Sequence, residues 1–242
     1  MSGSPVGSLP GATVSARKLQ LHLKLLDTDR LEELKAALLE ASVFPGSSRV
    51  AVFDHDALAA VGGERPPEAF GSLDGYLELG IAAGADDTPL LDAAAALRER
   101  VAGLIDASAS AAVLGDETVI REGDGEFQLF RAIRRWPGLA ADQFAYHLYF
   151  VHSLYGRLSP GRPGYRFLFS DPDASVRAAQ SAGVAIDDVD AVAQLIRTRE
   201  LTFDPPPQQA GLQEATLTDG ALIVDRPRCF GGTAAHVVAV ND

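Results

Sequence analysis

The stretch FQLFRAIRRWPGLAADQFAYHLYFVHSLYGRLSPGRPGYRFLF, residues 127–169, decides how this chain is read. Phe127 to Arg135 reads as a strand, and Pro137-Gly138 as a turn. Ala141 to about Arg157 reads as a long helix, and Tyr165 to Phe169 as a second strand. The stretch holds the single tryptophan, Trp136, with two of the five histidines and four of the five tyrosines. Aromatic residues make up only 7% of the chain, so this concentration marks where function is expected.

The same order of elements extends in both directions. On the N-terminal side, Leu19, Leu21, Leu23 and Leu25 alternate with Gln20, His22 and Lys24, the period of a half-buried strand. Asp27 and Asp29, with Glu32 following, cap a helix with the stripe Leu31, Leu34, Leu38. Val50 to His55 is a second strand, Gly62 to Gly75 a loop and Tyr76 to Ile81 a third strand. Thr88-Pro89 starts a second helix whose buried side is Leu90, Leu91, Ala94, Leu97, Val101 and Leu104. Ala111 to Arg121 holds a fourth strand. The order is β-α-β-β-α-β. On the C-terminal side the order repeats less regularly. Val184 to Asp187 is read as a third strand, preceded by a helical insert over 174–181. Asp190 to Thr198 is read as a helix and Ala221 to Asp225 as the fourth strand. A Pro-rich loop, Pro205 to Pro207, intervenes, and His236 to Val240 is an added edge strand.

Two β-α-β-β-α-β units imply an α+β fold of two tandem ferredoxin-like halves. Each half is a sheet with helices on one face, and the bare faces are covered by packing sheet to sheet as an α/β barrel. The expected boundaries are a flexible tail over 1–16, one half over 17–122 and another over 123–242. The leucine face of the first strand should meet the helices. Gln20, His22 and Lys24 then lie between the sheets; under the helices they would line a second pocket instead, and the first arrangement is preferred.

Composition excludes several classes. A net charge of −12 with no basic block argues against nucleic acid and against an anionic membrane surface. No apolar run approaches the roughly 20 residues that span a bilayer. The one cysteine, Cys229, cannot form an internal disulfide, and no signal peptide precedes the first strand, so a cytoplasmic protein is expected. Phosphate-loop, Rossmann and nucleophile-elbow signatures are missing. Asp54, His55 and Asp56 are adjacent on a strand end and alternate in direction, which makes a poor metal cluster; no metal site is expected.

Within the helix, Phe144, Leu148, Val151 and Tyr155 share one face and would wall an apolar pocket. At about 100° per residue, His147 lies about 60° to one side of Phe144 and His152 about 80° to the other. They cannot both serve one small site unless it wraps the helix. Arg131 and Arg134 point to opposite faces of their strand, so only one can face a pocket.

Arg134-Arg135-Trp136-Pro137-Gly138-Leu139, Phe144, His152 in VHSLYGRL and Gly164-Tyr165-Arg166 together resemble the EthD family. The resemblance spans about 45 residues. Ala140 stands where a Ser or Thr cap is usual, Ser153-Leu154 replaces Ala-Pro, and Phe167-Leu168-Phe169 replaces a polar cluster. The resemblance implies the dimeric α/β-barrel class. Relatives there include cofactor-free monooxygenases, polyketide cyclases, isomerases, dehydratases and decarboxylases, and some distant tandem relatives bind haem. It further implies a cofactor-independent enzyme of aromatic or secondary metabolism that cyclises, dehydrates or isomerises a hydrophobic polyketide-like substrate. A cofactor-free monooxygenase and a non-catalytic ligand-binding partner of a biosynthetic complex are the alternatives.

On that reading His152 transfers the proton, since an unperturbed imidazole titrates near neutrality. Arg134 and Tyr165 steady the oxyanion. Phe130, Phe144, His147, Leu148, Tyr155 and Phe167 bind the substrate. No cofactor is expected, and the protein is a monomer with an internal pseudo-dimer or a homodimer.

Overall fold

The computed structural model describes residues 3–53, 73–158, 164–198 and 208–241. His55 and its aspartates, most of the loop expected over 62–75, and Pro205 to Pro207 lie outside these ranges. In chain order the elements are β1 (Ala16–Leu23), α1 (Leu31–Ala41), β2 (Ser47–Val52), β3 (Gly75–Ala82), α2 (Thr88–Val101) and β4 (Ala111–Arg121). There follow β5 (Phe127–Ile133), the long helix α3, β6 (Gly164–Ser170), α4 (Pro172–Ala182), β7 (Ala191–Arg197), α5 (Gln208–Gly220) and β8 (Phe230–Asn241). The helix α3 runs without a break through Ala141–Tyr146, His147–His152 and Ser153–Leu158.

The eight strands form one closed antiparallel barrel in the order β1-β3-β2-β8-β5-β7-β6-β4, and β4 returns to β1. Within it β4-β1-β3-β2 and β8-β5-β7-β6 are two copies of the same four-strand arrangement. The fold is thus the expected pair of ferredoxin-like sheets closed into an α/β barrel. Their bare faces do not simply stack. They also join edge to edge, where Val50 pairs with Ala239 and Glu117 with Leu168. Closure pairs both edges of each sheet, which satisfies backbone groups that two separate sheets would leave open.

Alternation along each strand sorts residues into lumen and helix-facing sets. Leu19, Leu21, Leu77, Leu79 and Leu114 face outward and form one core with Leu34 and Leu38 of α1 and Leu90, Ala94, Leu97 and Val101 of α2. Each of these leucines is removed from water, and full burial of such a side chain stabilises by roughly 1.5–3 kcal/mol. In the second half, Phe144 and Leu148 of α3 pack over Tyr165, Phe167 and Phe169 of β6.

The second half departs from its expected layout in three places. Residues 191–197 form β7, not a helix: Val192 and Ala191 are both wholly buried, on opposite faces, so no polar alternation marks the strand. Val184 to Asp187, expected as the third strand, makes only an isolated bridge from Ala185 to Ala111. The fourth strand is β8, which contains the added edge strand; Ala221 to Asp225 contributes a single bridge, Val224 to Arg135. The second helix of this half is α5, whose sequence QQAGLQEATLTDG lacks a clear apolar stripe.

The helical insert is α4, capped by Asp171, whose side chain accepts from Ala174 N at 3.1 Å. It packs against α2 and β4 of the first half, and Ala174, Ala178, Ala179 and Ala182 join the leucine core there. Arg17 fastens this junction. Its guanidinium reaches Asp87 at 2.8 Å, Asp171 at 3.1 Å and Asp116 at 3.3 Å. The expected flexible tail is fastened to the barrel, though many of its residues are exposed. Val6 is fully buried beside α3, and Tyr149 Oη accepts from Thr13 N at 3.2 Å. Its apolar residues are few and widely spaced among Gly, Ser and Pro, which hid this role. Among the described residues no helix is long and apolar enough to cross a membrane.

Candidate active site

The centre of α3 is wound as a π-helix from His147 to His152. Hydrogen bonding from i to i+5 places the first and last residues of such a turn above one another. His147 and His152 therefore meet on one side of the helix instead of flanking it. Between them sits Asp219, near the end of α5. Its Oδ1 is 2.9 Å from His147 Nε2, and its Oδ2 is 2.7 Å from His152 Nδ1. The carboxylate is buried, and the His152 side chain retains only 13% exposure. The expectation that these two histidines serve separate places is corrected by that one inserted turn. The inserted turn shifts the helix register, so Val151 within it is exposed at 36% while Ser153 and Gly156 beyond it are buried.

A cavity of about 220 Å³ opens beside His152, between β5, α3 and α5. Leu148, Ile133, Leu217 and Val224 give it apolar walls, and Arg131 and Arg226 bring guanidinium groups to it. Cys229 also lines it, but burial pushes the thiol pKa up and its Sγ–H donates to Asp225 O at 3.2 Å. Such a thiol is a poor nucleophile.

Of the residues singled out for this site, His152 and Leu148 line the cavity, and His147 is joined to it through Asp219. Tyr155 does not line it; its ring packs edge-on to His152 with centroids 6.1 Å apart. Arg134 does not take part. It binds Asp187 and the Arg228 carbonyl, and its Nε lies 2.5 Å from Asp188. Arg131, on the outward face of β5, is the strand arginine at the cavity. Phe130 points the other way, into the lumen, with its ring 4.1 Å from that of Tyr76. Phe144, on the inner face of α3, and Tyr165 and Phe167 beneath it are core residues, and Tyr165 fills the space left by Gly156. Sequence reasoning missed Asp219 because α5 itself was not recognised.

The first half has no counterpart of the His–Asp–His arrangement among the described residues. Its sheet-to-helix space is filled by leucines and by α4. The lumen holds a second polar assembly instead. Gln20 and His22 do point between the sheets, as preferred, and Lys18 joins them; Lys24 lies past the strand and pairs with Asp74 at 2.8 Å. Glu78 is its hub. Its Oε1 accepts from Lys18 Nζ at 2.7 Å, and its Oε2 accepts from Tyr76 Oη at 2.6 Å, Gln194 Nε2 at 2.7 Å and Gln20 Nε2 at 3.0 Å. Burial opposes the charge on Glu78, yet Lys18 and these donors hold its carboxyl well below the usual range. Burial lowers the His22 pKa to about 4. Among the described residues no group of three or more His, Cys, Asp and Glu side chains is arranged to hold a metal ion.

The sequence matches no protein-family model and no curated protein. The fold does match solved structures. One is a candidate monooxygenase of Fusobacterium nucleatum subsp. nucleatum, with a TM-score of 0.55 and 9% identity over 95% of each chain. Another is an anthrone oxidase-like protein, with a TM-score of 0.53 and 12% identity over 95% of this chain and 93% of that one. At such identities the likeness is one of fold: this chain carries the dimeric α/β-barrel architecture within a single polypeptide.

Proposed function

We propose that this chain is a cofactor-independent enzyme that removes a proton from a hydrophobic, aromatic or polyketide-like substrate bound beside His152. The observation that carries this reading is the Asp219 carboxylate, buried and shared by His147 and His152 at the wall of a mostly apolar cavity. An imidazole whose Nδ1–H donates to a carboxylate has Nε2 as its basic atom and gains stability as an imidazolium. His152 Nε2 would take a proton from carbon next to a carbonyl. The electron pair moves onto the carbonyl oxygen, and the Arg131 guanidinium stabilises the enolate or phenolate. Cyclisation, dehydration or isomerisation then follows from the carbanion. The resemblance of the stretch 127–169 to the EthD family supports the same assignment.

A second reading is a cofactor-free monooxygenase, in which the same carbanion reacts with dioxygen. The names borne by the two structural neighbours favour it. Both readings begin with one proton transfer and part afterwards. The halves, 17–122 and 123–242, form a duplicated unit that would work in the cytoplasm as a monomer or a homodimer.

The test is solvent deuterium exchange into an anthrone-type tricyclic ketone under argon, followed by admission of air. Catalysed exchange that is lost in His152→Ala, with an unchanged circular dichroism spectrum, supports the reading. Product formed only in air selects the monooxygenase. Exchange undiminished in His152→Ala refutes the role of this site.

A further inference from the structure

We propose that the barrel lumen holds a second binding site, for a small carboxylate or phosphate anion, anchored by Arg49 and Arg166. It is independent of the His152 cavity and lies on the other face of the sheets.

A cavity of about 200 Å³ enters the lumen at the end bounded by Ser15, Ser47 and Val240. Arg49 and Arg166 both line it, as do Lys18, Glu78 and Glu117. Arg49 lies on the inner face of β2 and retains only 4% exposure. A guanidinium offers five N–H donors, and those of Arg49 are open to the cavity instead of being sealed from water. Among the described residues Arg49 has no hydrogen bond and no carboxylate at ion-pair distance. Its cross-strand neighbour is Glu78. That carboxylate is already saturated by Lys18, Tyr76, Gln20 and Gln194.

Arg166 is little better satisfied. It stands 3.9 Å from Glu117 and 3.6 Å from Glu122, beyond ordinary charge-assisted bonds, and its buried Nε is unpartnered. Gln128, fully buried on the inner face of β5, leaves both amide atoms without a partner. It pairs with Ile196 of β7, on the same inner face as the Gln194 that pairs with Arg166.

The charges in the cavity decide the sign of its ligand. Lys18, Arg49 and Arg166 face Glu78, Glu117 and Glu122. Glu78 is consumed by its donors, and Glu122 has an 80% exposed side chain and is screened by solvent. Glu117 is shared with Lys18 at 2.9 Å, and burial beside Glu78 makes it hold its proton more readily. Glu117 Oε2 and Gln128 Oε1 make no hydrogen bond either, but the guanidinium donors of Arg49 and Arg166 outnumber these acceptors, so the uncommitted capacity is mainly cationic. Planar forks of this kind match carboxylate and phosphate oxygens. The volume limits the ligand to a few heavy atoms.

The probes are malonate and inorganic phosphate, with malonamide as an uncharged analogue, in thermal denaturation of the full chain at fixed ionic strength. A saturable rise in Tm with either anion and not with malonamide is expected, and the responding anion names the class. Arg49→Met should weaken the response at least tenfold, and Arg166→Gln should do the same. The Arg166 side chain is partly exposed, so its variant carries the test if Arg49→Met fails to fold. Neither substitution should alter proton exchange at His152. No saturable shift with either anion, or an undiminished shift in the folded variants, overturns the site.

Discussion

His152 Nδ1 lies 2.7 Å from Asp219 Oδ2 because the π-wound turn from His147 to His152 rotates the later residue onto the side of the earlier one. A regular α-helix would have separated the two rings by more than a third of a turn. A turn of this type is an irregularity that sequence periodicity does not announce, and such turns recur at functional sites.

Replacing His152 by Gln should lower turnover by roughly 10²–10⁴-fold, the usual contribution of a positioned acid or base. Asp219→Asn should fall in the same range, because an amide can neither fix the imidazole tautomer nor stabilise its cation. His147→Gln should cost about tenfold or less, since His147 only shares the carboxylate. Steady-state rates on a responding substrate, with circular dichroism as the control, rank the three; a His147 effect equal to that of His152 would reverse the assignment.

Arg131 and Arg134 should separate cleanly. Arg131→Gln lowers turnover, by about 10–100-fold, with little change in stability, because its guanidinium is exposed at the cavity. Arg134→Gln leaves turnover unaltered and lowers stability by about 1–3 kcal/mol, because it releases Asp187, Asp188 and the Arg228 carbonyl. Urea denaturation set beside kinetics distinguishes them.

Lys18→Met should destabilise the protein by about 3–5 kcal/mol, since it leaves Glu78 and Glu117 inside the barrel without their cation. Adding Glu78→Gln removes one of the stranded charges. The double variant should therefore lose less than the sum of the single losses. A double-mutant cycle in urea measures this coupling.

His22 predicts a pH dependence of stability. Its ordinary pKa is 6.5 and burial lowers it to about 4, so between these values the unfolded chain binds the extra proton. The contribution of the neutral ring is complete above pH 6.5 and is lost as pH falls through that window. The loss is on the order of 3 kcal/mol by pH 4. His22→Gln should flatten the stability profile between pH 4 and 6.5, and an unchanged slope would show that other groups govern it.

Gly156→Ala should destabilise by about 1–3 kcal/mol, because an added Cβ would come within 2.1 Å of the buried Tyr165 ring. The thermal midpoint reports it directly.

Much of the first half was legible because its chemistry is locally consistent. Alternating leucines from Leu19 to Leu25 and the stripe Leu90, Ala94, Leu97, Val101 each declare one period. The second half hides its strands. Val192, Gln194 and Ile196 face a lumen that accepts both apolar and polar groups, while Ala191 and Ala193 face helices, so neither face reads as wet. Ala221 to Asp225 looked like a strand by composition, yet Ile223 and Val224 are buried by a turn against Arg135. At the candidate site the helix, its aromatic content and His152 were readable. Asp219 was not, because its partnership depends on a tertiary contact between α3 and α5. The choice between Arg131 and Arg134 turned on where β5 ends, a boundary that sequence patterns define poorly.

The packing of α4 onto the first half has a consequence for how such a molecule can vary. When two identical subunits build a barrel, any substitution that hollows out one pocket hollows out its twin, and the assembly is weakened twice. Joining the halves in one chain removes that obligation. Here the helix-facing side of one half is filled with leucine and alanine, while that of the other bears the buried Asp219 carboxylate, a π-wound helix and an open cavity. Under the proposed function, substitutions that reshape the His152 cavity can then accumulate without hollowing the leucine core, so changes in substrate preference should arise around α3 and α5.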